Sequence, residues 1–193
     1  MVFDVTEKDE WDVDPEPAQL MAVLKSTEAD LLVNQNGQLS AGQCHRLQDE
    51  HDLWRWVRYA GWIGLPLAIS RAVWDGIRVG DSASSRIAII TLIVVIFLVW
   101  SVFAEVKLRR VRADLTEGVV KVVEGPVRLF IYHSRQYGVH YQVIIGNLKL
   151  QISGHLYRLL RQNVRYAIYY TPRTKHILTV EKLNDCRLLT TEN

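Results

Sequence analysis

The sequence predicts a membrane α-helical hairpin followed by a small all-β barrel or roll with one short helix, all preceded by an N-terminal helical segment. Three observations predict it. Residues 87–104 are eighteen consecutive positions without a charge, mostly Ile, Val, Leu and Phe. From about residue 117 the apolar side chains recur with a period of two instead of 3.6. Charge is segregated along the chain. Residues 1–52 hold 3 bases and 12 acids, and residues 107–193 hold 15 bases and 6 acids, in a chain whose net charge is only +2.

Residues 1–17 are acidic and end in Pro15-Glu16-Pro17. They carry too little apolar surface to offset the entropy of ordering, which predicts a disordered tail. Residues 18–52 read as a helical hairpin on the cytoplasmic side. Leu20, Val23, Leu24 and Leu31 fall at helical spacings between 18 and 33. Asn34-Gln35-Asn36-Gly37 then turns the chain, and Ser40 caps a second helix through Cys44 and Leu47 toward Trp54. The turn imitates the middle of a calcium-binding EF-hand loop. Aligning Gly37 with the invariant glycine, however, puts Leu32 and Gln43 at the two end positions, where oxygen ligands and a bidentate Glu are required.

Residues 53–106 are expected to hold two transmembrane helices, at about 54–74 and 86–105. The eighteen uncharged residues at 87–104 rise about 27 Å as a helix, close to the hydrocarbon thickness of a bilayer. The first span contains Arg55, Arg58 and Arg71, which can snorkel to headgroups, and Trp54, Trp56, Trp62 and Trp74 suit the aromatic belts. Pro66 adds a kink of a kind that membrane helices tolerate. The other reading of this first segment is an amphipathic helix lying in the interface. Lys107, Arg109, Arg110 and Arg112 follow the second span, and Arg46, Arg55 and Arg58 flank the start of the first. The connector carries Arg78, bordered by Arg71 and Arg86. This tally places both termini in the cytoplasm and the hairpin in the cell membrane. The first residues, which lead into acids, are unlike a signal peptide.

Residues 113–183 read as the β-domain, and 184–193 as a tail. Val120, Val122, Val127, Leu129 and Ile131 alternate with Lys121, Arg128 and Tyr132 across a Gly125-Pro126 interruption. His140 to Ile145 follows as a strand. Gly146-Asn147 is a tight hairpin dipeptide, and Leu148, Leu150 and Ile152 alternate with polar residues. A short helix follows Ser153-Gly154. Val164 to Tyr170 and His176 to Lys182 close the domain as its last two strands. About six short strands in roughly seventy residues predict a small barrel or half-open roll.

The glycine-marked first strand, the Gly-Asn hairpin and the ending Tyr169-Tyr170-Thr171-Pro172-Arg173 before Leu178-Thr179-Val180-Glu181 resemble a group of uncharacterised bacterial membrane proteins. Those proteins pair two hydrophobic helices with a C-terminal small β-domain. The resemblance covers about residues 86–183, implies the architecture, and carries no activity.

No catalytic, cofactor or metal motif emerges. His45, His51, His133, His140, His155 and His176 form no zinc spacing, and Cys44 and Cys186 are too few for a disulfide framework or a structural zinc site. Nothing matches a P-loop, a dinucleotide fingerprint or a nucleophile elbow. The predicted function is a non-enzymatic, membrane-anchored interaction or scaffold module. Lys107, Arg109, Arg110 and Arg112 are its candidate contacts with anionic lipid headgroups. Arg128, Arg135, Arg158, Arg165 and Arg173 form its candidate interaction surface, toward a protein partner or a second copy. One alternative is a membrane-tethered basic barrel that binds nucleic acid, with Tyr132, Tyr137, Tyr141, Tyr157 and Tyr169 stacking on bases; tethering to a membrane disfavours it. Another is an accessory subunit of an oligomeric membrane transporter or other membrane complex.

Overall fold

The computed structural model describes residues 2–3, 16–79, 83–134 and 138–183. The C-terminal tail, Arg135, Tyr137, Cys186 and most of the acidic tail therefore lie outside the described residues. The elements in order are β1 (Val2–Phe3), α1 (Pro17–Leu24), α2 (Glu28–Gln35), α3 (Ala41–Val79), α4 (Ala83–Glu117), β2 (Lys121–Ser134), β3 (Gly138–Ile145), β4 (Leu148–Ile152), α5 (Gly154–Leu159), β5 (Arg165–Tyr170) and β6 (Ile177–Lys182). They form two compact units. One combines Met1–Cys44 with Gly118–Asn193, and the other is His45–Glu117.

The first unit starts with a departure from the expected single helix over 18–33. Pro17 opens α1 at a position that needs no N–H, and Lys25 closes it in the left-handed conformation, at φ 52°. Thr27 then starts α2 with a capping box. The Asp30 amide donates to Thr27 Oγ1 (3.2 Å), and the Thr27 amide donates to Asp30 Oδ2 (2.9 Å). Local capping thus breaks the apolar periodicity into two short helices. The turn at Gly37, whose φ is 75°, serves the sheet. Gln38 bridges Val119, the Leu39 amide donates to the Gly118 carbonyl, and the Val120 amide donates to the Gly37 carbonyl. Ser40 caps α3 as expected, its Oγ accepting from the Gln43 amide (3.2 Å).

The strands pair in the order β4-β3-β2-β5-β6, all antiparallel, with β1 added against Ile131 and Tyr132. This corrects the barrel: the sheet is open, and its end strands β4 and β6 do not pair with each other. β2 runs through the Gly125-Pro126 interruption as one 14-residue strand. Its first half pairs with β5 and its second half with β3. A Cβ at Gly125 would lie 3.1 Å from Ile145 Cγ2, so the crossing needs the missing side chain.

Helices do the work that closure would have done. On the inner face, Val127, Leu129, Val143, Ile145, Leu150, Tyr166, Ile168 and Val180 are covered by Leu20 from α1 and by Leu156, Tyr157 and Leu160 around α5. Val23 and Leu24 pack against the same cluster. On the other face, Ala167, Tyr169 and Leu178 pack with Val120, Leu31 and Leu39. The core is therefore not contained in residues 113–183, because α1 and α2 supply part of both faces.

The second unit is an antiparallel pair of long helices. α3 has 39 residues and is about 58 Å long. α4 has 35 residues. No break separates the expected second helix of the 18–52 hairpin from the first membrane segment, since α3 runs through both and contains Pro66. Trp54 packs edge-on against Phe103 (6.1 Å between ring centres), and Trp62 against Phe97 (5.2 Å). A Cβ on Gly61 would meet Phe97 at 3.2 Å, so the helices touch closely there. The stretch Ile87–Glu117 is long and apolar enough to cross a membrane, and its most apolar window is only 6% buried. Among the described residues no other helix meets that test; Arg55, Arg58 and Arg71 interrupt α3.

Candidate membrane-interface site

The repeat Trp54, Arg58, Gly61-Trp62 on α3 follows the three-to-four residue spacing of one helix face, and that face meets α4. Glu105 is the first acid after the long apolar run of α4. Its carboxylate accepts from Arg58 Nη1 across the helix pair (2.6 Å) and from Arg109 Nε one turn along α4 (3.0 Å). One carboxylate thus holds two guanidiniums, leaving one net positive charge at the point where apolar surface gives way to polar. A groove of about 460 Å³ opens beside this triad, lined by Arg58, Trp62, Ser101, Val102, Glu105, Val106 and Arg109.

Of the four expected lipid-contact bases, only Arg109 lines this groove. Arg110 and Arg112 are exposed on α4 and Lys107 is half-buried, so the four spread around the helix and do not form one face. Arg58 and Glu105 were not among the candidates. A base and an acid, each at the polar edge of an apolar run on neighbouring antiparallel helices, are the signal that could have found them.

The described β-domain bases do not all share one face. Arg128 is exposed on the outer face of β2, in one cross-strand row with Ile144 and Lys149. Arg165 lies on that same face, paired opposite Pro126. Arg158 is exposed on α5, which covers the inner face, and Arg173 is exposed in the turn after β5. The tyrosines are mostly structural. Tyr157, Tyr166 and Tyr169 are buried, and Tyr141 stacks on Tyr157 at 4.8 Å; Tyr132 is exposed. Burial raises the Tyr157 hydroxyl above its ordinary pKa, with a further push from Tyr141. Burial also raises Tyr169, helped by the charge of Glu181, whose Oε2 accepts from the Tyr169 hydroxyl (3.4 Å).

Three of the histidines meet separate polar neighbours. His45 contacts Asp49 (3.1 Å), His51 contacts Asp52 (3.3 Å), and His140 Nδ1 lies 3.3 Å from Gln151 Nε2. Among the described residues no three His, Cys, Asp or Glu side chains are placed to hold a metal. No family model, curated protein or solved structure matches the chain.

Proposed function

We propose that the chain is a non-enzymatic interaction or scaffold module of the cell membrane, anchored by the α3–α4 hairpin crossing the bilayer twice. One observation carries this reading. The first unit is built from both ends of the chain, with Leu20 of α1 in one core with Val127 and Val180. If α4 alone crossed, the bilayer would lie between the two halves of that core. A second crossing returns the chain to the same side, and α3 is the segment available for it.

The surface of the helical unit supports the same reading. Trp56, Trp62, Ile63 and Leu67 of α3 and Leu92, Ile96 and Val99 of α4 are exposed, a broad apolar area of the kind that lipid or a partner covers. Arg58, at the polar edge of the helix pair, shares the Glu105 carboxylate with Arg109. The basic flanks favour cytoplasmic termini. The sheet domain then sits beside the inner leaflet, where its exposed Arg128, Lys149 and Arg173 suit anionic headgroups or an acidic protein partner. A helical pair with so much apolar surface is equally suited to join a second copy, or a larger membrane complex as an accessory subunit. Nucleic-acid binding is disfavoured, because the stacking platform it needs is largely spent in the core.

The test is topology. A reporter active only in the cytoplasm should signal at both ends of the chain, and a cysteine replacing Ser82 should react with an impermeant reagent from outside. Signal at one end only would refute the double crossing, as would a Ser82→Cys site that reacts only after the membrane is opened.

A further inference from the structure

We infer that the groove between α3 and α4 is a binding site for one anionic phospholipid. Its phosphodiester sits against Arg58 and Arg109, and the start of its acyl chains lies along Trp62, Val102 and Val106. The inference rests on the double-crossing reading, and three features of the groove support it.

The first is charge. Glu105 takes one N–H from each guanidinium, at Arg58 Nη1 and Arg109 Nε. The remaining N–H groups of two planar forks are geometrically suited to bidentate contact with phosphate oxygens. Glu105 holds the forks together and cancels one of their two charges, so the site favours a single net anion. A zwitterionic lipid would bring its own cation to a place that is already positive.

The second feature is polarity along the groove. Val102 lies about 10 Å from Arg109 along α4, at 1.5 Å per residue. The wall therefore passes from guanidinium to valine over the distance from a phosphate to the first methylenes of a lipid. Trp62 flanks this transition, as an interfacial tryptophan does. Free phosphate would use the polar end alone.

The third is size. A volume of about 460 Å³ suits a headgroup with the first carbons of its chains. Beyond it the chains would continue over the exposed Val99 and Ile96 of α4.

The experiment uses the full-length protein, delipidated in detergent, titrated with phosphatidylglycerol and with phosphatidylcholine and read by native mass spectrometry. The anionic lipid should bind about fivefold more tightly, the factor that the one base left uncancelled by Glu105 supplies at about 1 kcal/mol. Combining Arg58→Gln with Arg109→Gln should cut that preference to about twofold or less. Arg109→Gln alone, at an exposed position that leaves the Arg58–Glu105 pair intact, should cut it about threefold. Changing Lys107, Arg110 and Arg112 to Gln together should leave it in place. Equal affinity for the two lipids in the parent protein would overturn the site. So would an equal loss in the triple variant, which would mean diffuse attraction, or displacement of the lipid by millimolar inorganic phosphate. Leu67→Cys, within the apolar stretch of α3 in nanodiscs, separates the premise from the site. Labelling there refutes the second crossing, whereas protection without a lipid preference refutes the site alone.

Discussion

Replacing Leu20 by Ala asks whether a helix far from the strands in sequence belongs to their core. Leu20 is 1% exposed and packs in the cluster that holds Leu156, Leu160, Tyr166 and Ile168. Truncating a fully buried leucine removes its transfer energy and leaves a cavity, about 3 kcal/mol together. The assay uses the first unit freed of the helical unit, residues 1–44 joined to 118–193 by a short Gly-Ser linker. The joint is feasible because the Leu39 amide already reaches the Gly118 carbonyl at 3.1 Å. A urea slope of about 1.5 kcal/mol/M is ordinary for a domain of this size, so the unfolding midpoint should fall by about 2 M. Residues 113–193 alone, lacking α1 and α2, should fail to unfold cooperatively. A Leu20→Ala shift below about 0.5 kcal/mol, within the range of ordinary surface changes, would refute the assignment of α1 to this core.

Three further outcomes are expected of the same linked domain. Thr27→Ala should cost about 1 kcal/mol by removing one arm of the capping box, whereas Glu28→Ala should change far less; equal effects in urea melts would count against the box. Tyr157 and Tyr169 have pKa values raised above 10.0 by burial, so each ionises more readily in the unfolded chain. Their stabilisation is complete below about pH 10 and falls as pH rises through the raised values. Tyr169→Phe should flatten that alkaline decline, and an unchanged pH profile would show that Tyr169 does not contribute. The linked domain should also bind vesicles containing anionic lipid weakly and lose that binding as salt shortens the screening length. Tight, salt-sensitive binding to a single-stranded oligonucleotide would instead favour the nucleic-acid reading.

Local features carried most of what the sequence revealed. An uncharged run of eighteen residues at 87–104 can hardly be anything but a long apolar helix, and Gly146-Asn147 marks its hairpin without help from the rest of the chain. The split between α1 and α2 was present as Thr27 and Asp30 at capping-box spacing, but the apolar period that continues across it masked the break. Open sheet and closed barrel share the same alternation, so period two could not decide between them. What decided was Leu20 lying against strands more than a hundred residues later, a contact with no local trace in the sequence. The groove was illegible for a similar reason. Arg58 and Glu105 are 47 positions apart, and each alone looks like an ordinary charge at the end of an apolar segment.

The division of one core between the two ends of the chain also sets the order of events during synthesis. Leu20, Val23 and Leu24 leave the ribosome early, and Val180 follows about 160 residues later, which takes roughly 8–30 s at ordinary elongation rates. Until the strands follow, α1 lacks the partners that cover its apolar side, and closing so long a loop comes late in folding. The sheet domain is therefore completed only after both hairpin helices have been made. On the proposed double crossing, a chain whose hairpin crossed only once would strand two incomplete halves on opposite faces of the bilayer, each showing core residues to water. On that proposal, successful folding of the domain would serve as a check on insertion, and chains that fail it would present the exposed apolar surface that chaperones and proteases act upon.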